Sequence, residues 1–191
     1  MVGFNRRYSP LVQTLKKAID QKSQPLSMVM TINAGAIPTD HWTQDPQVGG
    51  GRIIGEACHF IDLVRFLAGS SILKVNAIAM EAKTNDSVSM HLTFENGSIA
   101  AVHYLANGNK SFPKERLEVF CGGAIAVLDN FRRLNSVGWP QLKSMRLWKQ
   151  DKGQTACASA FVGAIQSGNV EKLIPFNELV EVTSACFDVV E

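Results

Sequence analysis

Ser87-Val88-Ser89-Met90-His91-Leu92-Thr93-Phe94-Glu95-Asn96-Gly97-Ser98-Ile99-Ala100-Ala101-Val102-His103-Tyr104-Leu105-Ala106 is the stretch that decides the fold. Up to Glu95, the apolar residues Val88, Met90, Leu92 and Phe94 alternate with Ser89, His91 and Thr93, the period of a strand with one buried face. Asn96-Gly97 is a strong two-residue hairpin signal. The returning strand, Ser98 to Ala106, is apolar on both sides, because Ile99, Ala101 and Leu105 alternate with Ala100, Val102 and Tyr104. Both faces of the sheet are therefore expected to be covered at this strand.

Working outward, further strands are expected at Ser27 to Ala34, Ser71 to Lys83, Glu115 to Cys121, Ala124 to Asp129 after a Gly122-Gly123 turn, and Ser144 to Gln150. Helical spacing appears where Ser9 caps and Pro10 opens a run with Leu11, Val12, Leu15, Ala18 and Ile19, ending near Gln21 to Pro25. A second helix is expected from Arg52 to Ala68, with an apolar stripe at Ile54, Ala57, Cys58, Ile61, Val64 and Ala68. Two more close the chain at Thr155 to Gln166 and Asn177 to Val190, separated by Ser167-Gly168-Asn169. Strands in hairpin succession with helices before and after predict a single α+β domain, a largely antiparallel open sheet with helices on one face. The other face holds too much apolar surface for bare solvent, so a partner domain or a second subunit is expected on it.

The 191 residues, 46% of them hydrophobic, suffice for one substantial core. With 19 Lys plus Arg against 17 Asp plus Glu, the charge balance gives no reason to expect a nucleic-acid partner. Cys58, Cys121, Cys157 and Cys186 are widely spaced and form no CxxC pair, which argues against a zinc site and a disulfide framework. Free thiols and the lack of any apolar run of membrane length lead to the expectation of a soluble, cytoplasmic protein.

Chemistry concentrates in Gly49-Gly50-Gly51-Arg52-Ile53-Ile54-Gly55-Glu56-Ala57-Cys58-His59-Phe60-Ile61-Asp62. The glycines permit a sharp turn and close backbone approach to a ligand, with Gly50 and Gly51 as candidate substrate contacts. Glu56, His59 and Asp62 then climb one flank of the helix at i, i+3 and i+6. Two uses are open to Glu56: orienting His59 or bonding a ligand hydroxyl, or a salt bridge to Arg52 at i−4. Asp62 is expected to cap or to pair locally with Arg65. The loop Gly35 to Gly51 carries His41 and Trp42, and its indole favours an ordered loop; an aromatic face beside polar groups suits a sugar ring. His91 and His103, on strands, are expected to be structural. A metal at Glu56-x-x-His59 is not expected, since no second Glu-x-x-His exists and a strand-rich chain is wrong for a carboxylate-bridged bundle.

Taken together, Val2-Gly3-Phe4-Asn5-Arg6-Arg7-Tyr8-Ser9-Pro10, the loop Asp40-His41-Trp42 to Asp45-Pro46, and Gly49-Gly50-Gly51 through His59 to Asp62 resemble the C-terminal domain of the glucose-fructose oxidoreductase and inositol dehydrogenase (Gfo/Idh/MocA) family nearly end to end. The resemblance implies a substrate-binding and oligomerisation domain whose partner, an N-terminal Rossmann domain binding NAD or NADP, is absent from this chain: no GxGxxG stands between a strand and a helix, and the family's Glu-Lys-Pro motif has no counterpart. It implies His59 as catalytic base, with Glu56 as a candidate carboxylate because the family Asp four residues before the His is here Gly55. It places Arg6, Arg7 and Tyr8 at the domain junction, Arg6 and Tyr8 towards substrate and Arg7 towards the cofactor, and His41 and Trp42 in a substrate-lining loop. The expected function is oxidation of a secondary alcohol of a sugar, nucleotide sugar or cyclitol in a homo-oligomer, with the isolated chain inactive. The alternative is a non-catalytic ligand-binding or dimerisation domain.

Overall fold

In a computed structural model of the chain, which describes residues 1–45, 47–82, 84 and 86–190, eight strands form one open sheet. They are β1 (Ser27–Asn33), β2 (Ile72–Ala79), β3 (Val88–Phe94), β4 (Ile99–Leu105), β5 (Glu115–Cys121), β6 (Ala124–Asp129), β7 (Arg133–Val137) and β8 (Met145–Arg146). The spatial order is β2-β3-β4-β1-β5-β6-β7-β8. The first strand thus lies at the centre, parallel to β4 and antiparallel to β5, and every other pairing is antiparallel. The expected α+β class and open sheet are found.

The hairpin between β3 and β4 forms as expected, but its turn differs. Gly97 alone adopts a left-handed φ of 83°, and Phe94 bonds both Gly97 and Ser98, which makes a β-turn with a bulge rather than a two-residue primed turn. Ser144 to Gln150 shrinks to the two-residue β8, and β7 was not foreseen because Arg133-Leu134-Asn135-Ser136-Val137 has too few apolar residues to signal a strand. The strand expected from Ser71 to Lys83 ends earlier, at Ala79, and Lys83 itself lies outside the described residues.

The sheet is covered on one face only. On β4, Ala100, Val102 and Tyr104 are buried under the helical layer, whereas Ile99 and Leu105 are exposed, so this chain leaves bare the face on which a partner domain or second subunit is expected. The helical layer comprises α1 (Pro10–Asp20), α2 (Cys58–Ala68) and α4 (Phe176–Val190), while α3 (Gln154–Ser167) packs chiefly on residues 5–8 and buries only Cys157 and Ala164. In α1 the buried set is the one the periodicity predicts, Leu11, Val12, Leu15, Ala18 and Ile19. Ser9 does not cap it, however; its hydroxyl donates to the Asp151 carbonyl at 2.8 Å and ties the helix start to the loop before α3.

The helix expected from Arg52 to Ala68 is two pieces. Residues Ile53–Ala57 wind as a π-turn, in which the Cys58 N–H donates to the Ile53 carbonyl, and α2 follows, ending at Gly69 with a left-handed φ of 62°. The single stripe is also corrected: α2 buries Phe60, Leu63 and Leu67 as well as Ile61, Val64 and Ala68, because α4 and the sheet enclose it from several sides. Such π-turns cost hydrogen-bond regularity and concentrate where a side chain must be re-aimed.

Candidate active site

Gly50 and Gly51, at φ of 68° and 81°, turn the chain into the π-turn in a conformation that other residues adopt only under strain. Gly49 is fixed for a different reason: a Cβ there would lie 2.5 Å from the Thr43 backbone. Just before it, His41 caps the short turn Trp42–Gln44 through Nδ1, which accepts from the Thr43 N–H at 3.3 Å. Trp42 is 62% exposed, against the expectation that its indole anchors the loop; its ring lies beside that of His41, centroids 5.9 Å apart. Gln44 joins this loop to the site by donating to Asp86 at 3.1 Å. Pro46 lies outside the described residues.

The π-turn directs Glu56 at the sheet. Its carboxylate accepts from Tyr104 of β4 (2.5 Å), from Arg52 (3.2 Å) and from Lys114, just before β5. Burial alone would raise this carboxyl, but the bonds from Lys114, Tyr104 and Arg52 outweigh it and bring it down to about 2. The salt bridge to Arg52 is thus present, as one part of a larger cluster. Arg52 also donates to the Gly35 carbonyl at 2.7 Å and pairs with Asp86 at 3.5 Å.

His59 stands one turn further on and is half-buried, its ring edge-on to Phe4 at 5.8 Å. Its Nδ1 is buried with no hydrogen-bond partner among the described residues. Burial and the nearby Arg6 cation push the imidazole down to about 4, only partly offset by Glu56 and Glu115. The ring is therefore neutral at physiological pH, the form that can accept a proton. Followed by NMR in this chain, the His59 ring resonances should titrate near pH 4; a midpoint near the ordinary value of about 6.5 would contradict this environment. The unfolded chain takes up that proton at higher pH than the folded one, so His59 withdraws stability as pH falls from about 6.5 towards 4.

Arg6 and Arg7 are neighbours with opposite directions. Arg6 bonds the wholly buried Glu115 at 2.6 Å and stacks on Phe60, and Lys152 completes the Glu115 pair at 2.9 Å. Arg7 turns away: Nε and Nη2 bond Asp62 at 3.1 and 2.5 Å, and Nη1 bonds Glu178 at 2.8 Å. Asp62 is therefore paired with Arg7, not with Arg65 as expected from its spacing; Arg65 bonds Glu178 and Glu181 of α4 instead. Burial raises the Asp62 carboxyl to about 6 against the pull of Arg7, which leaves the pair ionised at neutral pH. Tyr8 donates to the Lys172 carbonyl at 2.9 Å and, with Arg7, Phe66, Ala160 and Glu178, lines a cavity of about 1010 Å³ that does not include His59.

The structure therefore unites His59, Glu56 and Arg6, sets the His41–Trp42 loop beside them through Asp86, and places Arg7 and Tyr8 on another side. His103 bonds Ser89 at 2.9 Å on the open sheet face, away from these groups. Sequence spacing missed Tyr104, Lys114, Glu115, Asp86 and Lys152, which arrive from distant elements. Glu115 did carry a signal: it occupies the inward register of Leu117, Val119 and Cys121, where a charge requires a buried partner. Among the described residues no group of three or more metal-ligating side chains forms, and no helix is long and apolar enough to cross a membrane.

An open mixed sheet, one helical layer and a histidine on a glycine-led π-turn define a class of domain rather than a reaction. Residues 12–127 match the GFO/IDH/MocA C-terminal domain, and the chain belongs to that family. It is 26% identical over 186 residues to the inositol 2-dehydrogenase of Rhizobium meliloti (strain 1021), covering 88% of this chain and 55% of that protein. To the uncharacterized oxidoreductase YrbE of Bacillus subtilis (strain 168) it is 26% identical over 151 residues, 69% of this chain and 40% of the relative. The chain thus spans about half the length of these curated relatives. In fold it is similar to levoglucosan dehydrogenase in complex with NADH and levoglucosan (TM-score 0.80, 21% identity, 100% of this chain and 63% of the other). The UDP-N-acetylglucosamine 3-dehydrogenase GnnA of Acidithiobacillus ferrooxidans is also similar in fold (TM-score 0.79, 20% identity, 98% and 59%).

Proposed function

We propose that this chain is the substrate-binding and assembly domain of an NAD(P)-dependent oxidoreductase acting on a secondary alcohol of a sugar, nucleotide sugar or cyclitol, with His59 as the general base. The observation that carries this reading is the His59 ring, kept neutral beside a turn of two left-handed glycines, with a buried Nδ1 to which no described residue bonds. A purely structural histidine would be expected to spend that nitrogen on a protein partner.

The described residues do not fit a dinucleotide. β1 does not pass directly into a glycine-rich turn opening a helix, because the long Gly35 to Gly51 loop intervenes, which supports a cofactor site on a separate domain. A nicotinamide, when bound there, supplies the hydride acceptor. His59 takes the hydroxyl proton as hydride leaves the same carbon. Glu56, held ionised by its donors, serves to fix the π-turn and its charge rather than to move a proton. Arg6 braces the site through Glu115, the His41–Trp42 loop with Gly50 and Gly51 receives the ring of the substrate, and Arg7 holds α2 and α4 in place rather than contacting cofactor. Calorimetry tests the division of labour: cyclitols and sugars should bind this chain, and NAD alone should not. NAD binding without any sugar binding would overturn it.

A role in assembly is supported by the open sheet face. The register aligns Ile99, Ser27, Phe120, Ile125 and Val137 in one cross-strand row, in which Phe120, Ile125 and Val137 are adjacent and each partly or largely exposed. We assign this face to a second copy of the chain, since exposed apolar residues on adjacent strands, here Phe120, Ile125 and Val137, mark an association surface. Phe120→Lys with Ile125→Lys should leave the folded content unchanged and give monomers in sedimentation equilibrium where the parent chain gives dimers. A monomeric parent would refute the assignment.

A further inference from the structure

We propose that Lys114 is a substrate-positioning residue of the His59 site, its ammonium reaching from Glu56 to a substrate oxygen. The inference rests on the reading of this site as one that oxidises an alcohol.

Glu56 has three donors, and they are not equivalent. Tyr104 is fully buried, and the Arg52 side chain, 5% exposed, is committed to Gly35 and Asp86 as well. The Lys114 side chain is 38% exposed, and Glu56 is its one ion-pair partner among the described residues. An ammonium carries three N–H donors, so a single bond to Glu56 leaves two for an oxygen arriving from solvent. No bond to the carboxylate need break. The root of the side chain, by contrast, is fixed: the Lys114 carbonyl accepts from Asn33 N–H at 2.7 Å, which pins it to the end of β1, and Glu115 opens β5 directly after it. A rigid base with an exposed, adjustable head is the arrangement that holds a ligand atom.

The chemistry needs such a donor. Lys114 lies near enough to His59 to act on its charge, together with Arg6 from the 3-10 turn at residues 5–8, Glu56 from the π-turn and Glu115 from β5. A weakly basic imidazole takes a proton from an alcohol only if the negative charge developing on that oxygen is met by a positioned donor. In the step proposed here the O–H proton passes to His59, hydride passes from the same carbon to the oxidised nicotinamide, and the oxygen becomes a carbonyl oxygen still bonded to Lys114 N–H. Lys114 itself neither gains nor loses a proton.

Kinetics of the oxidoreductase carrying this chain, with Lys114→Met, Lys114→Arg, Glu56→Gln and His59→Asn compared, provide the test. Lys114→Met should lower kcat/KM by about a hundredfold, the scale on which one transition-state donor counts. It should also move the acidic limb of the pH profile upward, because a cation that depresses His59 is gone, and Lys114→Arg should restore much of both. Glu56→Gln keeps the cation but removes an anion that raises His59, so it should move the acidic limb downward, opposite to Lys114→Met. A Lys114→Met enzyme that melts earlier but keeps its kcat/KM and its acidic limb would overturn the inference, leaving Lys114 a structural clip. If His59→Asn abolishes turnover while Lys114→Met changes nothing, this inference alone fails. If Lys114→Met is impaired as expected and His59→Asn is fully active, the role of His59 fails and the substrate contact of Lys114 stands.

Discussion

Replacing His59 by Asn is expected to lower kcat of the oxidoreductase carrying this chain by about a hundred- to ten-thousand-fold, the usual worth of a positioned general base, while cofactor binding persists. Asn keeps a polar atom near the position of Nδ1 and leaves comparable bulk against Phe4, so the packing of residues 1–9 on α2 should survive. What it removes is a nitrogen able to accept and return a proton. The rival reading, a histidine that only fills space, predicts the reverse pattern: a lowered melting temperature with kcat intact. A structural role is the poorer account because Nδ1 is buried with no bond to a described residue, so the native ring donates or accepts nothing there that folding could use. Turnover within a few-fold of the parent enzyme would remove His59 from the mechanism. Solvent-isotope and pH data on the same variant sharpen the test, since loss of the base should flatten the acidic dependence that His59 titration imposes.

The parts legible in the sequence were those governed by local periodicity. Alternation in Val88–Phe94 and the apolar spacing of Leu11 to Ile19 depend only on which residues lie two or three to four positions apart, and both survive intact. The Asn96-Gly97 signal located the hairpin but not its turn, because Asn96 keeps a negative φ and Gly97 alone takes the left-handed one. Winding in the His59 segment was illegible for a related reason: a π-turn is chosen when tertiary partners compete for its side chains, and Glu56 finds Tyr104 and Lys114, 48 and 58 residues away. Spacing alone could offer only Arg52, four residues before. Asp62 shows the same limit, since local spacing pointed at Arg65 while the folded chain brought in Arg7 across 55 residues. Burial of α2 beyond a single stripe could not be read from the spacing, because it depends on α4, far along the chain, closing over it. The motif resemblance supplied His59 where periodicity could not rank it, and it could not supply Lys114 or Tyr104, which fall outside the strings that carried the resemblance.

Arg7→Ala is expected to be the most damaging single change to stability, about 3–5 kcal/mol in denaturant unfolding, because it leaves a buried carboxylate without its counter-charge. Asp62 is fully buried within α2, and both of its oxygens are bonded by the Arg7 guanidinium. Arg7 also holds Glu178, which Arg65 shares, so the substitution loosens residues 5–8, α2 and α4 together. The pH dependence has a definite sign. Burial already raises the Asp62 carboxyl to about 6 with Arg7 present, and removing the cation takes it higher, with the Glu178 charge adding to the rise. A carboxyl whose folded pKa exceeds its unfolded value near 3.9 favours the folded state when protonated; the variant should be least impaired below that value and lose stability as pH rises through the folded one. Asp62→Leu in the same chain should recover part of the loss at neutral pH, since it removes the stranded charge instead of the cation that neutralised it. A defect independent of pH, or a double variant no better than Arg7→Ala, would show that Arg7 matters through packing on Phe66 and not through its charge.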